Sequence, residues 1–305
     1  MSQVITQSDS PLIYSVVLNW NQPEDTLACL DSLARQEEIR QKLLIVDNAS
    51  TDDSVQRIQA CFPQAEILVN PSNLGFGRGF NCGVGHAFRV GADYVFIANN
   101  DTFLEPHTIS TLLRHMTRDV GLLAPAIYYA SHPEVIWSMG GKTNRWNLEV
   151  IEDVRGKPDP GNWPDVLERD FVTGCGLLIP RETFERVGLF DDRFQMYYED
   201  SDLSHSIRRV GLRILVIPGA KMWHKVALSS GGSDSPNERY WMARSSTLFF
   251  RKHARGIQWP VIIFWRMGST LRTTLRLSLH RKWQSLAAYW RGLRDGLRDP
   301  QPQRQ

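Results

Sequence analysis

The chain has 305 residues, 42% of them apolar and 22% charged, an ordinary globular composition with room for one large α/β domain and an appendage. Net charge is only +2, yet residues 251–299 hold 11 Lys+Arg against 2 Asp+Glu, so an acidic body carries a basic tail. The four cysteines, Cys29, Cys61, Cys82 and Cys175, show no Cys-x-x-Cys spacing, which argues against a zinc site or a disulfide framework and fits a reducing, cytoplasmic setting.

Residues 1–11 lack the basic and apolar regions of a signal peptide, and no run reaches the ~20 apolar residues of a membrane span. Residues 13–19 are apolar and β-branched and predict a buried strand. Asn21, Pro23 and Glu24 follow as cap, first-turn proline and capping acid of a helix carrying Leu27, Leu30 and Leu33. A second strand over 42–46 ends at Asp47, and Asp53 opens a short helix through Val55 and Ile58. A third strand covers 65–69. Gly75, Gly77 and Gly79 then lead into a helix with Phe80, Val84 and Phe88 on one face. A fourth strand over 94–98 ends at Asn99, Asn100 and Asp101, and Pro106 starts a helix with Ile109, Leu112 and Met116.

Residues 131–170, rich in Pro, Gly, Trp and charge, predict an irregular or antiparallel excursion over a cleft. Strand character returns over 171–180, helix over 200–210, strand over 212–217, and helices from Asn237 onward. The expected division is a catalytic domain over 1–236 and a basic helical extension over 237–305. Alternating strands and helices imply a mostly parallel, Rossmann-like sheet flanked by helices, whose ligands bind outside the carboxyl ends of the strands. Asn19, Asp47 and Asn99 to Asp101 all stand at such ends.

Asp101 suits a hard divalent cation, Mg²⁺ or Mn²⁺, when a diphosphate supplies further ligands; an Asn-Asn-Asp turn is the plain alternative. Asp47 is placed to accept hydrogen bonds from a base or ribose, or else belongs to a loop in which Ser50 or Asp52 caps the next helix. The glycine turn from Gly75 to Gly79 offers N–H groups to phosphate, with Arg78 assisting, but it fits neither a Walker nor a Rossmann fingerprint. Tyr197 and Tyr198 lead into Glu199, Asp200 and Asp202. Acids complement a helix N-terminus, but three exceed that need, and a carboxylate beside an aromatic wall suits a general base. His224 is either structural or a second metal ligand beside Asp101.

Several segments together resemble family 2 glycosyltransferases. They are Val16 to Asn21, Val46 to Asp52, Asn73 to Phe76, Asn99 to Thr102, Gly188 to Asp191 and Tyr198 to Leu203. The resemblance runs over about residues 13–253 and is strongest to the rhamnosyltransferase-like branch that builds bacterial surface polysaccharides. It implies a GT-A fold, a nucleoside diphosphate sugar donor, a divalent metal and inversion at the anomeric carbon. It also implies that Asn19, Asp47, Asn73, Asn99 and Asn100 serve the donor beside Arg78 of the glycine turn, that Gly174 allows close approach of donor or acceptor, that Asp101 and His224 hold the metal, and that Asp200, paired with Glu199, is the catalytic base. Asn99 departs from the family pattern, which has an acid there, and Arg244-Ser245 replaces the common Arg-Asn.

The expected acceptor is a glycan or lipid-linked glycan, with dTDP-L-rhamnose as the first donor to try and no nucleic acid among the partners. Apolar and basic residues interleave over 251–299, which suggests peripheral contact with anionic lipid at the inner face of the plasma membrane; a helix packed on the body or a homodimer contact is the alternative. Rival functions are a nucleotidyltransferase, disfavoured because Asn19-Trp20-Asn21-Gln22 stands where a basic glycine loop belongs, and an inactive nucleotide-sugar binder.

Overall fold

A computed structural model describes residues 10–226 and 234–299. Most of the segment expected not to be a signal peptide therefore lies outside the described residues. β1 (Leu12–Asn19) is buried along nearly its whole length, as a strand covered on both faces must be. α1 (Pro23–Ala34) starts at a proline, whose missing N–H costs nothing in a first turn. Its cap residue is Gln22 rather than Asn21. Asn21 instead takes a left-handed φ of 52° and accepts the Thr51 N–H with its side chain, at 2.7 Å.

β2 (Arg40–Asp47), α2 (Ser54–Cys61), β3 (Glu66–Val69), α3 (Phe76–Arg89) and β4 (Tyr94–Asn99) complete the parallel half, with β1 between β2 and β4 and β3 outside β2. The mixed half comprises β5 (Thr102–Leu104), α4 (Thr108–Arg114), β6 (Val120–Tyr129), β7 (His132–Ser138), β8 (Lys142–Thr143), β9 (Val150–Ile151), β10 (Leu167–Arg169), β11 (Gly176–Pro180), α5 (Arg181–Val187), α6 (Glu199–Arg209) and β12 (Arg213–His224). Strand order is β10-β12-β6-β11-β4-β1-β2-β3. β12 and β6 are parallel, and β11 inserts antiparallel between β6 and β4.

Two expected boundaries shift. The strand over 171–180 begins only at Gly176, leaving Phe171 to Cys175 as a lead-in at the sheet edge. The strand over 212–217 does not stop at Pro218. A register shift between Ile217 and Lys221 absorbs the proline, and β12 runs on to His224. The excursion over 131–170 is antiparallel, with β7 on β6 and β8 paired to β9.

Each face of the sheet carries its own core. Cys29, Leu30 and Leu33 of α1, Ile58 of α2, and Ile109 and Leu112 of α4 pack on one face. Phe80 and Val84 of α3, Phe184 of α5, and Leu203 and Ile207 of α6 pack on the other. The chain ends in α7 (Pro236–His253), α8 (Gln258–Leu279) and α9 (Trp283–Arg298). Ser235 caps α7 by accepting the Glu238 N–H, and Glu238 reaches back to the Asp234 N–H. Glycines let α9 lie close on α7: a methyl at Gly296 would sit 2.7 Å from the Arg244 carbonyl oxygen. No helix among the described residues is long and apolar enough to cross a membrane.

Candidate active site

Sheet register gathers the polar strand ends. Asn19 stands opposite Asp47, and Leu18 opposite Asn99. Because β11 runs the other way, its lead-in, Gly174 and Cys175, arrives at the same edge, where the Asn99 N–H donates to the Cys175 carbonyl at 3.1 Å. β12 also finishes there: His224 pairs with Thr102, and the Lys225 N–H donates to the Asp101 carbonyl at 2.9 Å.

A cavity of about 610 Å³ opens at this edge and brings together Asn99, Gly174, Glu199, Asp200 and His224. Asp101 lies directly behind His224, with its Oδ1 3.0 Å from Nε2 and both side chains less than one-tenth exposed. The imidazole stands edge-on to Trp137, with ring centres 4.4 Å apart. Burial works against charging His224, but the Cys175 sulfur and the Asp101 carboxylate outweigh it and hold its pKa up at about 10. Only once that proton has left would the Asp101 oxygen and a His224 nitrogen stand side by side as ligands for a divalent ion that takes its others from diphosphate and water. Among the described residues no cluster of three or more His, Cys, Asp or Glu side chains could hold such an ion without that help.

Three acids open α6, and they divide. Asp202 turns away from the cavity, bonded to Lys252 at 2.8 Å and His253 at 2.7 Å, so it fastens α6 to the end of α7. Glu199 and Asp200 face the cavity. Glu199 is buried, and its Oε2 has no hydrogen-bond partner. Burial, then the charge on Asp200, pushes its carboxyl up to about 8. Burial also raises Asp200, to about 6, against the opposing pull of N–H donors from Ser201 at 2.7 Å and Gly174 at 3.3 Å. Both carboxyls are raised and titrate as one unit, so near neutral pH the pair as a whole holds one proton and one charge. The turn that aims them is strained, since Tyr197 and Tyr198 are both left-handed, at φ 64° and 68°.

Gly174 lines the cavity and is also packed against side chains of the chain itself. A methyl there would lie 2.9 Å from the Phe76 ring and 3.8 Å from the Asp200 Cβ, so its neighbours are the chain's own. The glycine turn before α3 is likewise occupied by protein. Gly75 is left-handed at φ 78°, a methyl on it would meet the Gln195 carbonyl oxygen at 2.5 Å, and the Phe76 N–H donates to that oxygen at 3.2 Å. Arg78 is half exposed and points to Asp192 at 3.9 Å, outside the cavity. Asn73 accepts from Asn48 and from the Gly75 N–H, which shapes the turn.

Asn19, Asp47 and Asn100 do not line the 610 Å³ cavity; they form a polar seam beside it. Asn19 donates to Asp47 at 2.8 Å and accepts from Thr26 at 2.6 Å, and Asn100 donates to Thr26 at 3.1 Å. Asp47 also accepts the N–H and hydroxyl of Ser50. Asp52 accepts the Ser54 N–H as α2 begins, so the helix-start role and the strand-end role fall to different residues.

Sequence reasoning missed the far wall. Trp137, Glu149, Glu152 and Arg155 come from the 131–170 excursion. Arg155 stacks 4.9 Å from Trp137 and pairs with Glu152 at 2.7 Å. Only the local density of Trp and charge hinted at them. Arg244 donates to the Arg193 carbonyl and pairs with Asp299, a clamp between α7 and its neighbours.

The family model for glycosyl transferase family 2 matches residues 15–183, more than half of the chain. The chain belongs to glycosyltransferase family 2. Relatives of this glycosyltransferase include the N-acetylglucosaminyl-diphospho-decaprenol L-rhamnosyltransferase of Mycobacterium tuberculosis, 26% identical over 83% of this chain and 91% of that protein. The dTDP-rhamnosyl transferase RfbF of Shigella flexneri is 22% identical over 79% of this chain and 80% of its own. The fold matches mannosyltransferase PcManGT from Pyrobaculum calidifontis, solved with GDP-Man and Mn²⁺, at a TM-score of 0.58 and 15% identity over 96% of this chain and 77% of that one. GalNAc-T7, solved with UDP, GalNAc and Mn²⁺, matches at 0.61 and 14% over 80% of this chain and half of that one. These likenesses bear out the GT-A fold that the family resemblance implies.

Proposed function

We propose that this glycosyltransferase inverts the anomeric centre as it moves a sugar from a nucleoside diphosphate to a hydroxyl on a lipid-linked glycan. The observation that carries the reading is the meeting of Asp200, a buried carboxyl raised toward neutrality, with His224, which Asp101 holds from behind, at one cavity. Names of the relatives favour L-rhamnose carried on dTDP as donor, and the acceptor in the Mycobacterium tuberculosis relative's name is a sugar on diphospho-decaprenol. Such an acceptor puts the work at the inner face of the plasma membrane, within bacterial surface polysaccharide synthesis.

Asp200 takes the acceptor proton, and the freed oxygen attacks the anomeric carbon from the side away from the leaving group. Near neutral pH the Glu199–Asp200 pair as a whole carries one proton and one charge, so a carboxylate is available to act as base. Asn19 and Asp47, buried and bonded to each other, brace the strand ends beside which base and ribose would sit, and half-buried Asn100 is the member of that seam with surface to offer them. Asp101 and His224 would hold Mg²⁺ or Mn²⁺, which supplies charge neutralisation for the departing diphosphate. Trp137 and Arg155 shield that corner from water.

The experiment is transfer from dTDP-L-rhamnose, followed as dTDP release, with a melting panel of nucleoside diphosphates with and without Mn²⁺. Asp200→Asn should bind nucleotide as the wild type does and release no dTDP above background. Undiminished release from that variant, or no stabilisation by any nucleotide, sinks the reading.

A further inference from the structure

α7 separates two hollows. Its Glu238, Met242 and Phe249 line the catalytic cavity, while Thr247, Phe250 and Arg251 line a groove of about 830 Å³ shared with α8 and α9. Two apolar stripes face each other across that groove. Ile263, Met267 and Leu271 recur every fourth residue along α8, and Trp290, Leu293 and Leu297 answer from α9. Five of these six are half exposed or more; only Leu293 is partly covered. A folded chain rarely leaves so continuous an apolar surface in water unless something covers it. Arg266, Arg294 and Arg298 belong to the same lining, and Arg266 stacks 5.4 Å from the Phe250 ring. Apolar stripes edged with guanidinium groups complement an amphiphile with a long hydrocarbon chain and a phosphate head.

We propose that this groove holds the hydrocarbon chain of the diphosphate-linked lipid that carries the acceptor sugar, an inference that rests on reading the acceptor as lipid-linked. The chain lies between the α8 and α9 stripes, and the diphosphate meets the arginines. Because α7 is the common wall, a lipid held here keeps its sugar end about one helix diameter, roughly 10 Å, from the cavity. The basic, apolar tail thus serves acceptor capture, and the acidic body serves the donor.

The test uses the full chain and farnesyl diphosphate, read by tryptophan fluorescence, since Trp259 and Trp290 line the groove. Farnesyl diphosphate should bind at least tenfold more tightly than inorganic diphosphate. Met267→Asp and Leu271→Asp, both at exposed positions, should each weaken it at least tenfold while dTDP binding stays unchanged. Equal affinity for the two probes, or variants that bind farnesyl diphosphate like the wild type, overturns the proposal. So does a Met267→Asp protein that merely leaves phosphatidylglycerol vesicles, or falls from dimer to monomer, with its farnesyl diphosphate affinity intact. Failure of the transferase reading shows separately, as absent donor turnover in a preparation that still binds farnesyl diphosphate.

Discussion

Glu199→Gln separates the two carboxyls at the head of α6. Burial and the neighbouring charge hold Glu199 up to about 8, and burial holds Asp200 at about 6. With its lower ionisation at about 6, the pair passes from about one-tenth to about nine-tenths singly charged between pH 5 and pH 7, so a reaction that uses Asp200 as base should quicken roughly tenfold over that interval. Glutamine imitates protonated Glu199. The variant should therefore keep the same rising limb, with its rate at pH 7 within about threefold of wild type, whereas Asp200→Asn should lose about 10²–10⁴ in rate. Stability gives a second readout of known sign. The folded state holds the Glu199 proton more tightly than the unfolded state. Its contribution is therefore full below the ordinary value of 4.5 and is lost as pH rises through about 8. Glu199→Gln removes that loss, so its Tm should gain on wild type progressively from pH 5 to pH 8. Initial rates of nucleoside diphosphate release and melting curves in the same buffers supply both numbers. A Glu199→Gln enzyme as slow as Asp200→Asn, or a Tm difference that does not change with pH, refutes the assignment.

Asp101→Ala should raise the Mn²⁺ concentration for half-maximal activity tenfold or more; an unchanged metal titration would move the ion elsewhere. Gly174→Ala puts a methyl 2.9 Å from the Phe76 ring, a clash of the kind that costs about 1–3 kcal/mol, and disturbs an N–H donor to Asp200. It should lower kcat with nucleotide affinity kept, and Phe76→Leu should partly restore it; a double variant no better than the single one counts against the packing explanation. Phe80→Ala empties a fully buried position beside Phe76 and Phe190, so urea melts should show a loss of about 3–5 kcal/mol. A loss under about 1 kcal/mol would mean the site collapses around the cavity.

The parallel half was legible because each strand is a short apolar run ending in a polar residue, and every such end falls on one edge. β1, β2 and β4 are where the pattern placed them, along with Asn19, Asp47 and Asn99. Strand direction was not legible. β11 has the same apolar signature as a parallel strand, and only its pairing with β4 reveals that Gly174 and Cys175 enter at the site edge. The glycine turn is ambiguous for a related reason. Glycine before a helix marks close approach, and sequence does not say whether phosphate or the chain's own Gln195 does the approaching. Glu199 and Asp200 stood out by their number, but the departure of Asp202 toward Lys252 and His253 depends on a helix some 50 residues further on. Past β7 the 131–170 wall has no regular spacing, because antiparallel pieces of two or three residues carry too little period to read.

Two successive tyrosines in the left-handed region have an implication for anyone breeding this enzyme for heat. Each such residue stores on the order of 1–3 kcal/mol, and glycine or asparagine at 197 would release part of it. A screen scored only on survival at high temperature should therefore collect changes at that turn. The same clones should work more slowly, because a relaxed entrance no longer fixes where the carboxylates point. Hardiness and turnover compete at a single joint, and selection on both together should leave it untouched.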